Sequence, residues 1–257
     1  MSYTIKFGYA SDVGQFRENN EDAALVFYAD ARNDNQRPGF GVFAVADGMG
    51  GHLSGEKASA IATETLLKEV IRHIYEPIFT SDPTTQLPVA DIIVDAVTNA
   101  NQEIRQKLTK AGTTLTALVV FGNMAHIVHV GDSRAYMIRE DEIERITEDH
   151  TVVERLVQEG HMSREEAALS PEGHRIYRAL GMFEVAEPDT YARRFRTGNR
   201  ILICSDGLYN EVSDETIASV IGNSPSPQDA CDELIRLANA HGAPDNVTVI
   251  VVEMVES

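Results

Sequence analysis

The chain has 257 residues, with 22 Lys and Arg against 40 Asp and Glu, for a formal net charge of −18. A chain of that length can bury a large core without covalent staples, so its two cysteines need no disulfide. The acidic balance excludes a general nucleic-acid binder, which needs basic surface to displace counterions, and it repels any phosphate-bearing substrate unless bound cations offset the field locally. The first residues carry no basic stretch ahead of an apolar one, and no apolar run reaches the length of a membrane span. The expectation is a cytoplasmic protein with no membrane segment.

In chain order, short β-branched runs predict strands at 4–9, 24–28 and 41–46. Between the second and third lies 31–39, long for a connection, with a hairpin loop expected at 35–39. Two amphipathic segments then predict helices at 55–75 and 90–111, joined by the turn-rich 80–88. The second helix aligns Ile92, Ile93, Ala96, Ala100, Ile104 and Leu108 at spacings of three and four. Strands follow at 115–121, 125–130, 135–138, 191–195 and 200–203, with a helix at 152–159 among them. Helices at 214–221 and 227–240 precede a last strand at 247–252. Pro227 opens the last helix and Gly242 stands just past its end, the usual asymmetry. The elements do not alternate strand and helix, which predicts an α+β fold of antiparallel sheets faced by helices. No repeat or linker divides the chain, so residues 1–257 are expected to form one domain.

The most informative residues are acids at strand ends beside glycine or in the loops between strands. Glu18-Asn19-Asn20-Glu21-Asp22 lies between the first two strands, and Asp47-Gly48-Met49-Gly50-Gly51-His52 leads from a strand to a helix. Gly131-Asp132-Ser133-Arg134 joins two strands, Ser205-Asp206-Gly207 ends another, and Asp245-Asn246 precedes the last. An Asp at the end of an apolar strand is rigidly aimed and partly dehydrated. Several such groups brought together repel unless cations lie between them. Hard oxygen ligands suit Mg²⁺ or Mn²⁺, and paired ions clamp phosphate and acidify water. Each Asp-Gly step alone is ordinary turn chemistry, so the metal reading requires the fold to gather these acids.

Other motifs fail on the letters. Glu56 stands where a phosphate-binding loop needs Lys after Gly55, and no His-Glu-x-x-His zinc motif occurs. A cysteine phosphatase needs Arg six residues past its nucleophile, where Cys204 and Cys231 meet Asn210 and Leu237. Cys204 reads as a core residue. His126 and His129, three apart on a strand, face opposite sides and make a poor ligand pair.

With these residues assembled, the chain resembles the metal-dependent type 2C serine/threonine protein phosphatases in their compact bacterial form. The resemblance runs from about Gly8 to Val252. It is carried by the ordered set Asp47-Gly48-Met49-Gly50-Gly51-His52, Gly112-Thr113-Thr114, Gly131 to Arg134, Ser205 to Leu208, and Asp245-Asn246. It implies a four-layer αββα sandwich of two antiparallel sheets flanked by helix pairs, with metals at one edge. It implies that Asp47 bridges two central Mn²⁺ or Mg²⁺ ions, and that Asp206 and Asp245 complete one site. The Gly48 carbonyl, with Glu21 or Asp22 directly or through water, serves the other. Asp132 with Asp206 holds a third, weaker ion. Arg17 binds the substrate phosphate, a task suited to its planar fork, and Asn246 orients Asp245 or a water. The implied reaction is direct attack on phosphorus by a hydroxide bridging the metals, without a phosphoenzyme.

The general acid falls to His52 or to water, because Met49 occupies the position where some relatives carry histidine. The segment 159–180 matches a mobile flap. Relatives often carry His-Pro there, whereas this chain has Ser170-Pro171 and then His174. Arg175 and Arg178 read as solvated surface or as substrate-steering groups. Phosphorylated proteins and a serine/threonine kinase are the implied partners, and a monomer is expected. Two readings compete: a metal phosphohydrolase for small phosphomonoesters, and a non-catalytic module that binds phosphoproteins.

Overall fold

Period-two burial along the strands dictates the architecture. In the third strand Phe43 and Val45 face one way while Phe40, Val42, Ala44 and Ala46 face the other, and all are buried. A strand apolar on both faces must be covered on both, and a second sheet and a helix pair supply the two covers. The computed structural model describes every residue except 1–2, 31–38, 51–52, 81–87, 141, 169, 171, 174 and 257. The chain begins with β1 (Tyr3–Asp12), β2 (Asp22–Ala29), β3 (Phe40–Met49), α1 (Leu53–Val70), a π-helical turn (Ile71–Tyr75), α2 (Glu76–Thr80) and α3 (Val89–Lys107). It continues with β4 (Gly112–Thr113), β5 (Leu115–Phe121), β6 (Met124–Val130), β7 (Arg134–Arg139), β8 (Glu142–Arg145), α4 (Val152–Gln158) and α5 (Arg164–Ala168). It closes with β9 (Asp189–Arg194), β10 (Arg200–Cys204), α6 (Asp206–Tyr209), α7 (Asp214–Asn223), α8 (Pro227–His241) and β11 (Val247–Glu256).

Two antiparallel sheets stack. One has the order β1-β11-β10-β7-β8, the other β2-β3-β5-β6-β9, with β4 paired to β3. Phe43, Leu118, Ile127, Ile203 and Ile250 fill the layer between them. Ala58, Leu66, Ile93 and Ile104 of α1 and α3 cover the second sheet. Ile217, Ile221, Cys231 and Leu234 of α7 and α8 cover the first. This is the expected αββα sandwich, and Cys204 is core.

Each predicted strand and helix is present, with differences at the ends. The helix predicted over 90–111 stops at Lys107, because Leu108 is extended and Lys110 takes a positive φ of 56° to return the chain to β3. The helix predicted to stop at Tyr75 runs on through a π turn, which sets Tyr75 against Phe27 and Phe40. The expected loop at 35–39 falls almost wholly outside the described residues. Pro227 opens α8 and Gly242 ends it at φ 120°, as the letters predict, and Ser226 supplies the side-chain cap. Among the described residues, no helix is long and apolar enough to cross a membrane.

Strand direction gathers the acids. Asp22 pairs with Asp47, Val45 with Thr116, Leu115 with Val130, Cys204 with Arg134, and Asp12 with Val247. Every one of these pairs lies at the same end of the sandwich. Asp22 and Asp47, directly opposite each other, share the face that looks between the sheets. Leu118→Ala, in the middle layer, should cost about 2–5 kcal/mol. Urea unfolding should show this as a lower midpoint with an unchanged slope.

Candidate active site

The backbone around Asp47 is fixed before its carboxylate is considered. Its N–H donates to Thr114 Oγ1 at 2.9 Å, and its carbonyl accepts from the Thr114 amide and the Thr113 hydroxyl, each at 2.9 Å. The next amide, Gly48 N–H, donates to the Glu21 carbonyl at 3.2 Å. The start of α1 presses against this strand end, and a Cβ on Gly48 would lie 2.3 Å from the Gly55 carbonyl oxygen. Ser59 of α1 donates to the same Glu21 carbonyl at 2.6 Å. Strand end, helix start and β1–β2 loop thus form one unit.

The other acids are held as firmly. Ser205 Oγ donates to Asp22 Oδ2 at 2.8 Å while accepting the Thr248 amide at 2.9 Å. Asp22 Oδ1 is buried with no hydrogen-bond partner. Asp206 opens α6 and accepts from Asn210 Nδ2 at 3.1 Å. A Cβ on Gly207 would lie 2.1 Å from the Asn246 carbonyl oxygen, so only glycine lets β11 start here. Asp245 accepts the Asn246 amide on Oδ1 at 2.8 Å and Arg17 Nη2 on Oδ2 at 2.7 Å.

The Asn246 side chain does not turn to Asp245. It accepts Glu21 N–H at 2.8 Å and donates to the Val13 and Asn19 carbonyls at 2.9 and 3.0 Å, pinning the β1–β2 loop. Asp132 is supported from behind, where its carbonyl accepts Tyr209 OH at 3.0 Å. Arg134 lies 3.5 Å over the Tyr209 ring and grips Asp149 with Nε and Nη2, the latter at 2.6 Å.

These residues surround a cleft of about 670 Å³ lined by Arg17, Glu21, Asp47, Gly48, Asp132, Asp206 and Asp245, with Phe16, Met49 and Ile176 as apolar wall. Arg17 is the only basic side chain among the described residues lining it. His52 lies outside the described residues, as does His174. Of the arginines within 159–180 singled out from the sequence, Arg175 pairs with Glu172 on the surface, and Arg178 pairs with Glu187 and Asp189. The letters left Thr114, Ser205 and Tyr209 without roles. Ser205 directly precedes Asp206 and Tyr209 follows it by three residues, which was the available signal for those two; Thr114 has no motif acid near it in the chain, and only its place in Gly112-Thr113-Thr114 marked it.

Crowding shows in the acid–base behaviour. Asp47 is pushed well above the ordinary carboxyl range by burial first, then by Asp22, Asp206, Asp132 and Asp245. Burial also pushes Asp132 up to about 8, with Asp206 and Asp149 adding repulsion. Asp22 rises to about 7 through burial and the charges of Asp206 and Asp245, against the hydroxyls of Thr248 and Ser205. Such a set fits hard divalent cations: it offers oxygen donors only, a buried unsatisfied carboxylate oxygen, and a glycine carbonyl at the cleft wall. Among the described residues no three acidic, imidazole or thiol side chains close a cage on one point.

The chain matches the protein phosphatase 2C family profile over residues 18–244 and belongs to that family. It is 39% identical over 256 residues to serine/threonine protein phosphatase PstP of Mycobacterium tuberculosis, covering 100% of this chain and 46% of that protein. The chain thus spans about half the length of that relative. It is 33% identical over 247 residues to serine/threonine phosphatase stp of Listeria innocua, covering 95% of this chain and 94% of that one. A solved structure of the PstP catalytic domain in complex with two manganese ions superposes with a TM-score of 0.80 at 37% identity, covering 99% of this chain and all of that one.

A carboxyl with a raised folded pKa keeps its proton longer in the folded state, so stability falls as pH climbs from the unfolded to the folded value. In a chelator, Tm should fall from about pH 7.5 to about pH 8.5, where unfolded histidine is already mostly neutral and the raised carboxyls still titrate. Asp132→Asn should flatten that slope. A rising Tm across the interval in scanning calorimetry would show that the acids are not crowded in this way.

Proposed function

We propose that this chain hydrolyses phosphoserine and phosphothreonine in proteins, using divalent cations held at the acidic cleft. The supporting observation is the convergence of Asp22, Asp47, Asp132, Asp206 and Asp245 on one edge of the sandwich, with Arg17 bonded to Asp245 at its mouth. Asp47, the Gly48 carbonyl, and Glu21 or Asp22 would hold one Mn²⁺ or Mg²⁺. Asp47, Asp206 and Asp245 would hold a second, and Asp132 with Asp206 a third, weaker one. When bound, such ions supply Lewis acidity to the phosphoryl oxygens and lower the pKa of water between them.

The side chains of this chain do the rest. Arg17, half-exposed, can turn its fork from Asp245 to a phosphate, meeting two oxygens at once. Phe16, Met49 and Ile176 wall the cleft and limit water around the ester. The departing serine or threonine oxygen needs a proton, for which the candidates are His52 and water. No step uses a protein nucleophile, in keeping with Cys204 and Cys231 both lying buried in the core. A serine/threonine kinase that makes such substrates is the expected partner, and the chain is expected to act as a cytoplasmic monomer in a single domain.

Phosphate release from a phosphothreonine peptide should require Mn²⁺ or Mg²⁺, stop in EDTA, and be lost in Asp206→Ala with the fold intact by circular dichroism. Release from small phosphoesters alone would favour the competing phosphohydrolase reading, and no release from folded protein would favour the binding module. Arg17→Ala should raise KM for the peptide about tenfold or more, the loss of a charge-assisted bond of about 1.5–3 kcal/mol. An unchanged KM would remove Arg17 from the phosphate site.

A further inference from the structure

His150 lies between β8 and α4, and nothing in the proposed chemistry uses it. Its side chain is only 2% exposed. It grips Gly131 at two points: its backbone amide donates to the Gly131 carbonyl at 2.7 Å, and its Nδ1 accepts the Gly131 amide at 3.1 Å. Gly131 sits at φ 110°, a conformation that needs glycine, and Asp132 follows it. On the other side, the His150 carbonyl accepts the Tyr177 amide at 2.8 Å, and Thr151 bridges Ile176, which lines the cleft. One residue therefore joins the turn that carries Asp132 to the strap that carries Ile176.

The hydrogen bonds also fix the ring's proton. A nitrogen that accepts a backbone N–H is unprotonated, so neutral His150 carries its hydrogen on Nε2 and donates it to Asp189 Oδ2 at 3.0 Å. Arg178 Nη1 lies 3.2 Å from the same Nε2 and 3.4 Å from Asp189 Oδ1; because a guanidinium only donates, a protonated Nε2 offers it no acceptor and its hydrogen goes to the carboxylate. His129 stacks beneath at a ring separation of 4.8 Å and makes its own bonds to Thr116 and the Glu148 carbonyl. Burial holds the imidazoles of His150 and His129 below the ordinary value, in keeping with neutral rings.

We infer that His150 is a positioning residue whose Nδ1 acceptor sets the Gly131–Asp132 turn and whose carbonyl sets the Ile176 strap, with Asp189 holding the required tautomer. The inference rests on the reading that Asp132 helps hold a divalent ion.

The test is calorimetric titration of the protein with Mn²⁺, with Asp132→Ala marking the binding step to which Asp132 contributes. In His150→Asn the amide oxygen falls near the position of Nδ1, whereas in His150→Gln the amide reaches only the Nε2 position. His150→Asn should bind Mn²⁺ at that step within about threefold of the parent, and His150→Gln about tenfold or more weakly, the usual loss when a group orienting a metal ligand is removed. Equal Mn²⁺ affinities in the Asn and Gln variants would overturn the inference. Asp189→Ala, at a half-exposed strand end, guards against loss of fold. It should keep the parent Tm within a few degrees and weaken the same step, and parent-like Mn²⁺ affinity in it would overturn the tautomer assignment. Nitrogen-15 NMR of the parent should show Nε2 protonated and Nδ1 bare; the reverse would overturn it directly. A parent that binds no Mn²⁺ would overturn the metal reading and this inference together.

Discussion

Repulsion among carboxylates at one end of a stiff sandwich governs the rest of the molecule. Two unit charges 4 Å apart cost about 4 kcal/mol at the effective dielectric of a protein surface, and this edge presents five aspartates to one another. A flexible loop would relieve that cost by swinging its acids apart. Here relief is blocked at each position by backbone or hydroxyl bonds. Thr113 and Thr114 hold Asp47, Ser205 holds Asp22, Tyr209 holds the Asp132 carbonyl, and the α6 start holds Asp206. The side chains between the sheets bear the cost, which is why the acids sit where strand ends are anchored by buried Phe43, Val45, Ile203 and Ile250.

The chain's charge of −18 gives the same constraint a second aspect. A long-range negative field opposes the approach of a phosphorylated protein, and screening limits that opposition to about a Debye length, ~8 Å at physiological ionic strength. Among the described residues of the cleft, the sign can reverse only through bound cations and Arg17. Selectivity for phosphate would therefore be local, and the acidic surface elsewhere would discourage loose binding of other anions.

Sequence letters carried the strands well because β-branched runs bounded by turn residues allow few other readings. They carried the acids well because Asp beside glycine at a strand end is visible as a pattern. What they could not carry was convergence. The order β1-β11-β10-β7-β8 places the first and last strands side by side, and no local signal states that. The charged edge strand β8 and two-residue β4 lack an apolar run, so they escaped notice. The overrun of α3 has a similar cause: 108–111 keeps helical residue types, yet pairing of Gly112 with Met49 pulls the chain away. The bonding of Asn246, whose motif was visible, and of His150 was illegible in a deeper sense. Their partners are the backbone amides of Glu21 and Gly131, and a backbone amide has no letter.

The glycines after the acids show how fold and site share residues. By residue type alone, a glycine after an acid allows backbone to approach an ion closely, as at Gly48 and Gly207. In the structure they also allow close approach of protein, Gly48 to the first turn of α1 and Gly207 to the carbonyl of Asn246. An added methyl at either would displace the element that aims the neighbouring Asp, so a glycine variant tests packing and site at once. Replacing an acid by its amide keeps the shape and removes one charge from a crowded set, which separates the two. For such a set, loss of function and gain of metal-free stability are expected to travel together, because the same charges that attract the cations are those the empty fold must restrain.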